Sequence, residues 1–447
     1  MQKKRLFRFY CDFVRFMFGL RRIIKKIVGI FIDYWRYVKE FLFIYHVASN
    51  QKTALRKLKG KHTIRCIFIA LFEEVWKCDY IYRLMVENPR FEPIILVCPI
   101  VNYGRENMVK RMESCYEFFK QKGYNVMKAY DGEHYVDVVN ELFPDILFYT
   151  NPYYGLIDDR YYITNFTNFL TLYVPYYFGE WNNYRAMCDL LFHNLLWRFY
   201  LETPTHKDYS RMYSRNNARN VVITGYPGIE RLIRQDKTAS LNVWKENTSK
   251  KKRIIWAPHH TIEKSDFCNY SCFLLYSIFM IEMAKKYSKE VQFVFKPHPL
   301  LRNKLEKLWG KKETEEYYLC WEEMPNTSIK DGDYMDLFLT SDAMIHDSGS
   351  FLVEYLYVNK PVMRTLNEVP VEKEFNSFAL KCLEHYYLAR NEMEIEEFIQ
   401  NVINNVDPLK EQRTRFVNEI LMPKGSPSQN IVNDILESID NQILYRN

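Results

Sequence analysis

The chain has 447 residues, of which 48% are hydrophobic and 17% are aromatic. This length suggests two domains with full cores, and the high aromatic content excludes a largely disordered protein. Residues 1–46 contain eleven Lys and Arg against three Asp and Glu, so this segment accounts for the formal net charge of +7. Because the rest of the chain is close to neutral, we expect no nucleic-acid partner for the body of the protein.

The ten cysteines are scattered along the chain, and none forms a C-x-x-C pair. Such a distribution is typical of buried, reduced thiols, so we expect a cytoplasmic protein without a disulfide framework. The cysteines offer no zinc ligand set, and we expect no metal.

The first predicted element is a basic, amphipathic arm over residues 1–60. Apolar side chains recur every three or four positions from Leu6 to Tyr45, which predicts one face of a helix. No apolar run reaches the roughly 18 residues that a membrane span needs, and no cleavable signal pattern is visible. We interpret residues 1–46 as a helix on an anionic membrane surface. A helix packed on the protein's own body and a coiled coil are the alternatives.

From residue 61 onward, short apolar strands alternate with helices, which predicts an α/β fold with parallel sheets. The first half, 61–235, contains predicted strands at Ile64–Phe72, Pro93–Cys98, Tyr124–Met127, Asp145–Tyr149, Leu170–Pro175 and Asn220–Thr224. A polar linker over 236–252 leads to the second half, 253–447. Its predicted strands are Arg253–Ala257, Val291–Phe295 and Ala343–His346, and its predicted helices are Phe273–Lys286, Phe351–Val358 and 430–445. Two Rossmann-like halves place a ligand cleft at the carboxyl ends of their strands.

The clearest candidate site follows the strand that ends at His346. The loop Asp347-Ser348-Gly349-Ser350 has little bulk, so a phosphate can approach its backbone N–H groups at the start of the next helix. Glu354, one turn into that helix, is a candidate partner for ribose hydroxyls. An ordinary helix cap with an acid in the first turn would show the same local pattern.

Histidines follow two further strands of the second half. His298 stands between two prolines that fix its backbone, and we assign it to the donor phosphates or the reacting centre. His259 and His260 follow Trp256-Ala257-Pro258, and one of them is a candidate base for an attacking hydroxyl. Hydrogen bonding to backbone carbonyls is the alternative for these two side chains. The turn Gly225-Tyr226-Pro227-Gly228 is expected to help line the cleft, with Pro227 beside the nucleotide.

These motifs, taken in order, resemble those of the CDP-glycerol glycerophosphotransferase family of teichoic-acid polymerases. The matching segments are Asn220–Pro227, the strand ending in Ala257-Pro258, Lys296–Pro299, and Ser341–Glu354 followed by Lys360-Pro361. The resemblance implies two Rossmann-like domains of the GT-B type and transfer of a polyol phosphate from a CDP-polyol. It also implies association with the inner membrane face, a polysaccharide or lipid-linked acceptor, and no cofactor besides the nucleotide-diphosphate donor.

The chain departs from this family at one position. Relatives carry a Trp-His-Gly motif after a strand of the first domain, and its His resembles a catalytic base. Here the corresponding segment is Tyr176-Tyr177-Phe178-Gly179, so Phe178 replaces that His. The departure keeps open two alternatives to polyol-phosphate transfer: a sugar transferase that uses a nucleotide sugar, and a nucleotide-binding subunit without catalysis.

Overall fold

The structure is a computed structural model that describes residues 2–234, 241–246, 250–263, 269–370 and 373–446. Within helix α1, the side chains of residues 2–20, 22–24, 30 and 33 lie outside the description. Two parallel sheets, each covered by helices, form the body of the protein. The fold class predicted from the sequence is therefore confirmed.

The first sheet has seven strands in the order β3-β2-β1-β4-β5-β6-β7. Their bounds are β1 Ile64–Ala70, β2 Phe91–Val97, β3 Val126–Lys128, β4 Ile146–Tyr149, β5 Leu170–Tyr173, β6 Arg198–Leu201 and β7 Val221–Ile223. The second sheet has six strands in the order β10-β9-β8-β11-β12-β13. Their bounds are β8 Lys252–Ala257, β9 Val291–Phe295, β10 Thr327–Ile329, β11 Ala343–His346, β12 Val362–Thr365 and β13 Tyr387–Ala389.

Helices cover both faces of the two sheets, which is why the strands read as nearly continuous apolar runs. The helices of the first half are α1 Gln2–Leu58, α2 Asp79–Glu87, α3 Arg105–Gln121, α4 Val138–Leu142, α5 Tyr184–Cys188, α6 Leu191–Leu195, α7 Pro204–Tyr213 and α8 Glu230–Ile233. Those that follow are α9 Phe273–Lys286, α10 Leu301–Leu308, α11 Lys311–Glu323, α12 Met335–Thr340, α13 Phe351–Glu354, α14 Ser377–Leu383, α15 Glu392–Ile403, α16 Lys410–Phe416 and α17 Pro427–Asp440.

Each sheet begins in its interior and is extended first to one side and then to the other. In the second sheet, β8 pairs with β9 on one side and with β11 on the other. Such a reversal of strand order opens a crevice beyond the carboxyl ends of the central strands, because the connections on either side run to opposite faces. The loops after β8, β9 and β11 therefore meet at one edge of the second sheet.

The last helix, α17, packs on the first sheet although it follows the second sheet in the chain. Ile431, Ile435 and Ile439 of α17 are buried in the same core cluster as the strands of the first sheet. The Arg198 side chain of β6 and the Asp434 side chain of α17 form a buried ion pair, with 2.9 Å between Nε and Oδ2. The sequence-based division assigned 253–447 to the second half as a block, and this helix is the exception. The domain boundaries themselves stay predictions.

The N-terminal arm is one long helix whose final part belongs to the body. Ile44 and Val47 of α1 are buried in the core of the first half, and Gln51 Nε2 donates to the Leu195 carbonyl at 2.7 Å. Further out, apolar side chains such as Phe31 and Trp35 are exposed. Within the described part of the chain, no helix combines the length and the apolar content that a membrane crossing requires.

Candidate active site

Three loops at the carboxyl edge of the second sheet bring the predicted site residues together. His259 and His260 follow β8, His298 follows β9, and Asp347–Ser350 follow β11. Because β8 lies between the other two strands, the loop after β8 touches both of its neighbours. The backbone N–H of His298 donates to the Pro258 carbonyl at 3.1 Å. The backbone N–H of His259 donates to Oδ1 of Asp347 at 2.5 Å.

The three imidazoles form a compact cluster. Ring centroids are 4.3 Å apart for His259 and His260, 4.2 Å for His260 and His298, and 4.8 Å for His259 and His298. Burial, followed by the neighbouring His260, lowers the pKa of His298 to about 3. Burial and the other two histidines also lower the pKa of His259, with further contributions from Arg364 and Lys304. The rings of His259 and His298 are therefore neutral near pH 7 and lie in positive surroundings, which suits an anionic ligand.

The cluster has the spacing of a three-histidine metal site, with one ring nitrogen from each residue within 4.8 Å of the others. The tautomer of His298 argues against ligation. The backbone N–H of Leu300 donates to Nδ1 of His298 at 3.1 Å, so the proton of the neutral ring is on Nε2. A metal-bound histidine has the opposite arrangement, because its second nitrogen donates outward. The geometry of His298 favours an Nε2–H donor that faces the cleft.

The Asp347 side chain has an internal role that the sequence did not reveal. It is buried, and its carboxylate accepts hydrogen bonds from His259 N at 2.5 Å, Cys272 N at 2.6 Å and Ser271 Oγ at 3.2 Å. Burial nevertheless raises the pKa of Asp347, against the effect of these donors. The Asp347 side chain fixes the loop that carries His259 in place, and the predicted contact of Asp347 with phosphate stays a prediction.

The loop Asp347–Ser350 lies between β11 and α13 as expected, but that helix is shorter than predicted. Helix α13 starts at Phe351 as predicted, yet it gives way to a 3-10 turn over Tyr355–Val358 after four residues. A single turn has little macrodipole, so the backbone N–H groups matter more than the helix end. Ser350 is exposed, its side chain makes no cap hydrogen bond, and the Ser348 carbonyl accepts from Arg364 Nη1 at 3.0 Å.

The remaining two predicted residues are both buried. Oε2 of Glu354 accepts from the Tyr334 hydroxyl at 2.5 Å, and the predicted contact of Glu354 with ribose hydroxyls stays a prediction. Pro227 starts a 3-10 turn beneath the cleft, where the Tyr226 hydroxyl donates to the Tyr176 carbonyl at 2.7 Å. The turn is therefore tied to the loop after β5 of the same half, and Pro227 stays an untested prediction for the nucleotide.

A loop of the first half reaches across to the loop Asp347–Ser350 of the second. An ideal Cβ on Gly349 would lie 2.9 Å from a ring carbon of Trp181 and 3.6 Å from Oε2 of Glu180. Trp181 also packs on Tyr270 and Phe375, with ring centroids 5.7 and 5.1 Å away. Only glycine allows this approach, so Gly349 is required by the packing of the two halves as well as by any ligand.

Sequence reasoning missed Glu180, Trp181, Tyr270 and Arg364. The Arg364 side chain is buried at the carboxyl end of β12, with its guanidinium 5.4 Å from the Tyr270 ring and 5.0 Å from the Phe375 ring. A strand prediction at Val362–Thr365 would have located this arginine, because strand ends of the second sheet supply the other site residues. Trp181 and Tyr270 come from irregular segments, for which the sequence contained no comparable signal.

A family model, CDP-glycerol:poly(glycerophosphate) glycerophosphotransferase, matches residues 202–437. This match covers just over half of the chain and contains all three loops of the site. The chain belongs to this family. The glycerophosphotransferase family consists of transferases, so the resemblance found in the sequence and the assignment as a transferase are both confirmed. A comparison with curated protein sequences finds no match.

Several solved structures share the fold of this chain. A histidine-to-alanine variant of the wall teichoic acid polymerase TagF has a TM-score of 0.57 at 14% identity, over 91% of this chain and 99% of that one. A TagF variant soaked with CDPG has a TM-score of 0.54 at 13% identity, over 93% and 99%. The UDP co-structure of S. aureus MnaA has a TM-score of 0.54 at 16% identity, over 86% and 99%. At such identities these structures show the fold, two Rossmann-like domains of the GT-B type.

Proposed function

We propose that this protein transfers a polyol phosphate, such as glycerol phosphate, from a CDP-activated donor to a hydroxyl of a surface polysaccharide or teichoic-acid-like acceptor. The observation that carries the proposal is the cluster of three imidazoles in positive surroundings, beside a glycine-containing loop at the carboxyl edge of the second sheet. Such an edge is the common ligand site of this type of sheet, and the chain's family uses CDP-glycerol. The proposal requires no resident cofactor or metal.

In the proposed reaction, an acceptor oxygen attacks the β-phosphorus of the donor. The bond from that phosphorus to the bridging oxygen breaks, and CMP leaves with the electron pair. The Nε2–H of His298 and the backbone N–H groups of Ser348–Ser350 would hydrogen-bond the pyrophosphate oxygens and stabilise the charge that develops there. A neutral imidazole is suited to this role because its single N–H donates a hydrogen bond without the ring becoming a charged imidazolium.

Phe178 has no proton-accepting group, so it cannot act as the base that the family resemblance implies at this position. Its side chain is 1% exposed and packs on Tyr226, with 4.7 Å between ring centroids. The sequence suggested His259 or His260 as a replacement base, which stays a proposal. Both rings lie on the donor side, beside His298, so we favour donor contacts for them. His259 is further held by stacking on Tyr270 at 4.8 Å.

The donor assignment is tested by a screen of activated donors with the full chain. Release of CMP from CDP-glycerol or CDP-ribitol in the presence of a polymer acceptor supports polyol-phosphate transfer. Release of UDP or GDP from nucleotide sugars would instead support a sugar transferase of the same fold. Binding of CDP by calorimetry without any turnover would support the non-catalytic nucleotide-binding subunit.

We also propose that helix α1 holds the enzyme on an anionic membrane surface, at the cytoplasmic face. Ile27, Phe31 and Trp35 are at least half exposed, and Lys25 and Lys26 are exposed beside them. Aromatic side chains with flanking lysines suit the boundary between headgroups and acyl chains. From Glu40 onward the helix contacts the body, because the Glu40 side chain pairs with Arg215. The membrane-facing part is therefore shorter than the predicted 1–46.

A further inference from the structure

Glu180 is a buried carboxyl group placed between the two halves of the protein. It follows β5 of the first sheet, and its backbone carbonyl accepts from Asn376 N of the second half at 2.8 Å. Its side chain is 1% exposed, and its Oε2 lies 3.6 Å from the position of a Cβ on Gly349. The carboxyl group thus faces the loop proposed to hold the donor phosphates, from the opposite wall of the cleft.

The packing around Glu180 does not satisfy this group. Among the described residues, none hydrogen-bonds to its Oε1, although that atom is fully buried. Two further buried acids, Glu354 and Glu202, interact with it unfavourably, and the charge of Arg364 acts on it favourably. A buried polar atom without a hydrogen-bond partner costs free energy. Groups of this kind concentrate at functional sites.

We propose that Glu180 is the general base of the transfer reaction, which accepts the proton of the acceptor hydroxyl as its oxygen attacks the donor. This inference rests on the proposed transferase function but is independent of which nucleotide donor the enzyme uses. The acceptor O–H bond breaks, its proton moves to a Glu180 carboxylate oxygen, and the acceptor oxygen bonds to the donor phosphorus. CMP leaves, and Glu180 returns its proton to solvent before the next turnover.

The position on the first half distinguishes Glu180 from the histidines. The imidazoles share the second sheet with the nucleotide loop, on the donor side. Glu180 reaches the same loop from across the cleft, which is where an acceptor would enter between the halves. A base must lie within hydrogen-bond reach of the attacking oxygen, and the unpartnered Oε1 is free to receive its proton.

The pH dependence separates the two candidates. Burial first, then Glu354, raises the pKa of Glu180 well above its ordinary range, with Glu202 adding to the rise and Arg364 opposing it. Cys382, Tyr226 and Tyr386 also face this charge. A base works when deprotonated, so kcat should rise with pH above the usual titration range of a glutamate. An imidazole with a lowered pKa would already be deprotonated there, and kcat would be flat.

The test compares Glu180→Gln with Glu202→Gln in the full-length enzyme, using the donor that the parent turns over. Glu202 is a suitable control because it is another buried acid of the first half, whose pKa burial raises to about 8. Glu180→Gln should lower kcat by about 10²–10⁴-fold, remove the rise of kcat with pH, and keep the calorimetric affinity for CDP near the parent's. Glu202→Gln should keep turnover and move the rise to lower pH, because it removes a neighbouring acid.

Three results would overturn the assignment. Glu180→Gln could keep kcat within a few-fold of the parent, could keep the pH rise, or could lose CDP affinity together with turnover. The last result would indicate a structural role for Glu180. The variant Glu180→Asp is a second test, because its carboxylate, one methylene further from the acceptor, should recover part of the kcat that Glu180→Gln loses. If the parent turns over a nucleotide sugar instead of a CDP-polyol, the donor proposal fails while the base assignment is still decided by the same variants.

Discussion

The buried ion pair between Arg198 of β6 and Asp434 of α17 allows a test of what holds the last helix on the first sheet. Asp434 Oδ2 accepts from Arg198 Nε and from the Tyr200 hydroxyl, each at 2.9 Å. The Arg198 side chain is fully buried and also donates to the Leu444 carbonyl at 2.6 Å. Asp434→Ala would leave this guanidinium buried without its counter-ion. Breaking such a pair costs about 3–5 kcal/mol.

Asp440 supplies a matched control on the same helix. It pairs with Arg90 at 2.8 Å, but its side chain is 50% exposed and that of Arg90 is 30% exposed. Exposed pairs contribute about 0–1 kcal/mol, since water competes for both charges. Asp440→Ala should therefore change little, although it removes the same type of interaction.

Hydrogen exchange of the amides in 427–440 measures the effect locally, which suits a protein of two halves that need not unfold together. In Asp434→Ala, protection of these amides should fall by about 10²-fold or more. This factor is the expected loss of about 3–5 kcal/mol converted at roughly 1.4 kcal/mol per tenfold. Asp440→Ala should leave protection within about fivefold of the parent's. Equal losses in the two variants, or unchanged protection in Asp434→Ala, would refute the reasoning that burial makes this pair decisive.

Three further predictions concern the site and the arm. Gly349→Val should lower CDP affinity at least about tenfold by calorimetry, because its side chain meets the Trp181 ring, and Trp181→Ala in the same protein should recover part of the loss. Full affinity in Gly349→Val alone would exclude the loop as the nucleotide site. His259→Ala and His260→Ala should raise KM for the donor more than they lower kcat, whereas loss of kcat at unchanged KM would restore one of them as the base. Deleting residues 1–38, which spares Glu40, should abolish sedimentation with anionic vesicles and leave thermal unfolding of the body unchanged. Salt should weaken the binding of the full chain, and a truncated protein that still pellets would assign the arm another role.

The meeting of the three loops after β8, β9 and β11 could be predicted from sequence because each loop follows a local motif. The strands before His259, His298 and Asp347 are apolar runs with clear ends, and parallel strands place their carboxyl ends at one edge. The residue types in the loops then indicate phosphate chemistry without further information. Short strands such as Arg198–Leu201 and Val362–Thr365 escaped prediction, because each carries an arginine that hides its apolar character.

By itself, the sequence determined the α/β class, the two-part order of the chain, the basic helical arm and the histidines at the strand ends. These features depend on periodicity and composition within about 20 neighbouring residues. Only the tertiary structure decided that α17 packs on the first sheet and that Glu180 and Trp181 face Gly349. It also decided that the Asp347 carboxylate accepts hydrogen bonds from the neighbouring loops. Each of these pairs residues that are between 75 and 236 positions apart in the chain or lie in different halves. Contacts over such separations depend on how whole sheets and helices pack, and no local pattern records them.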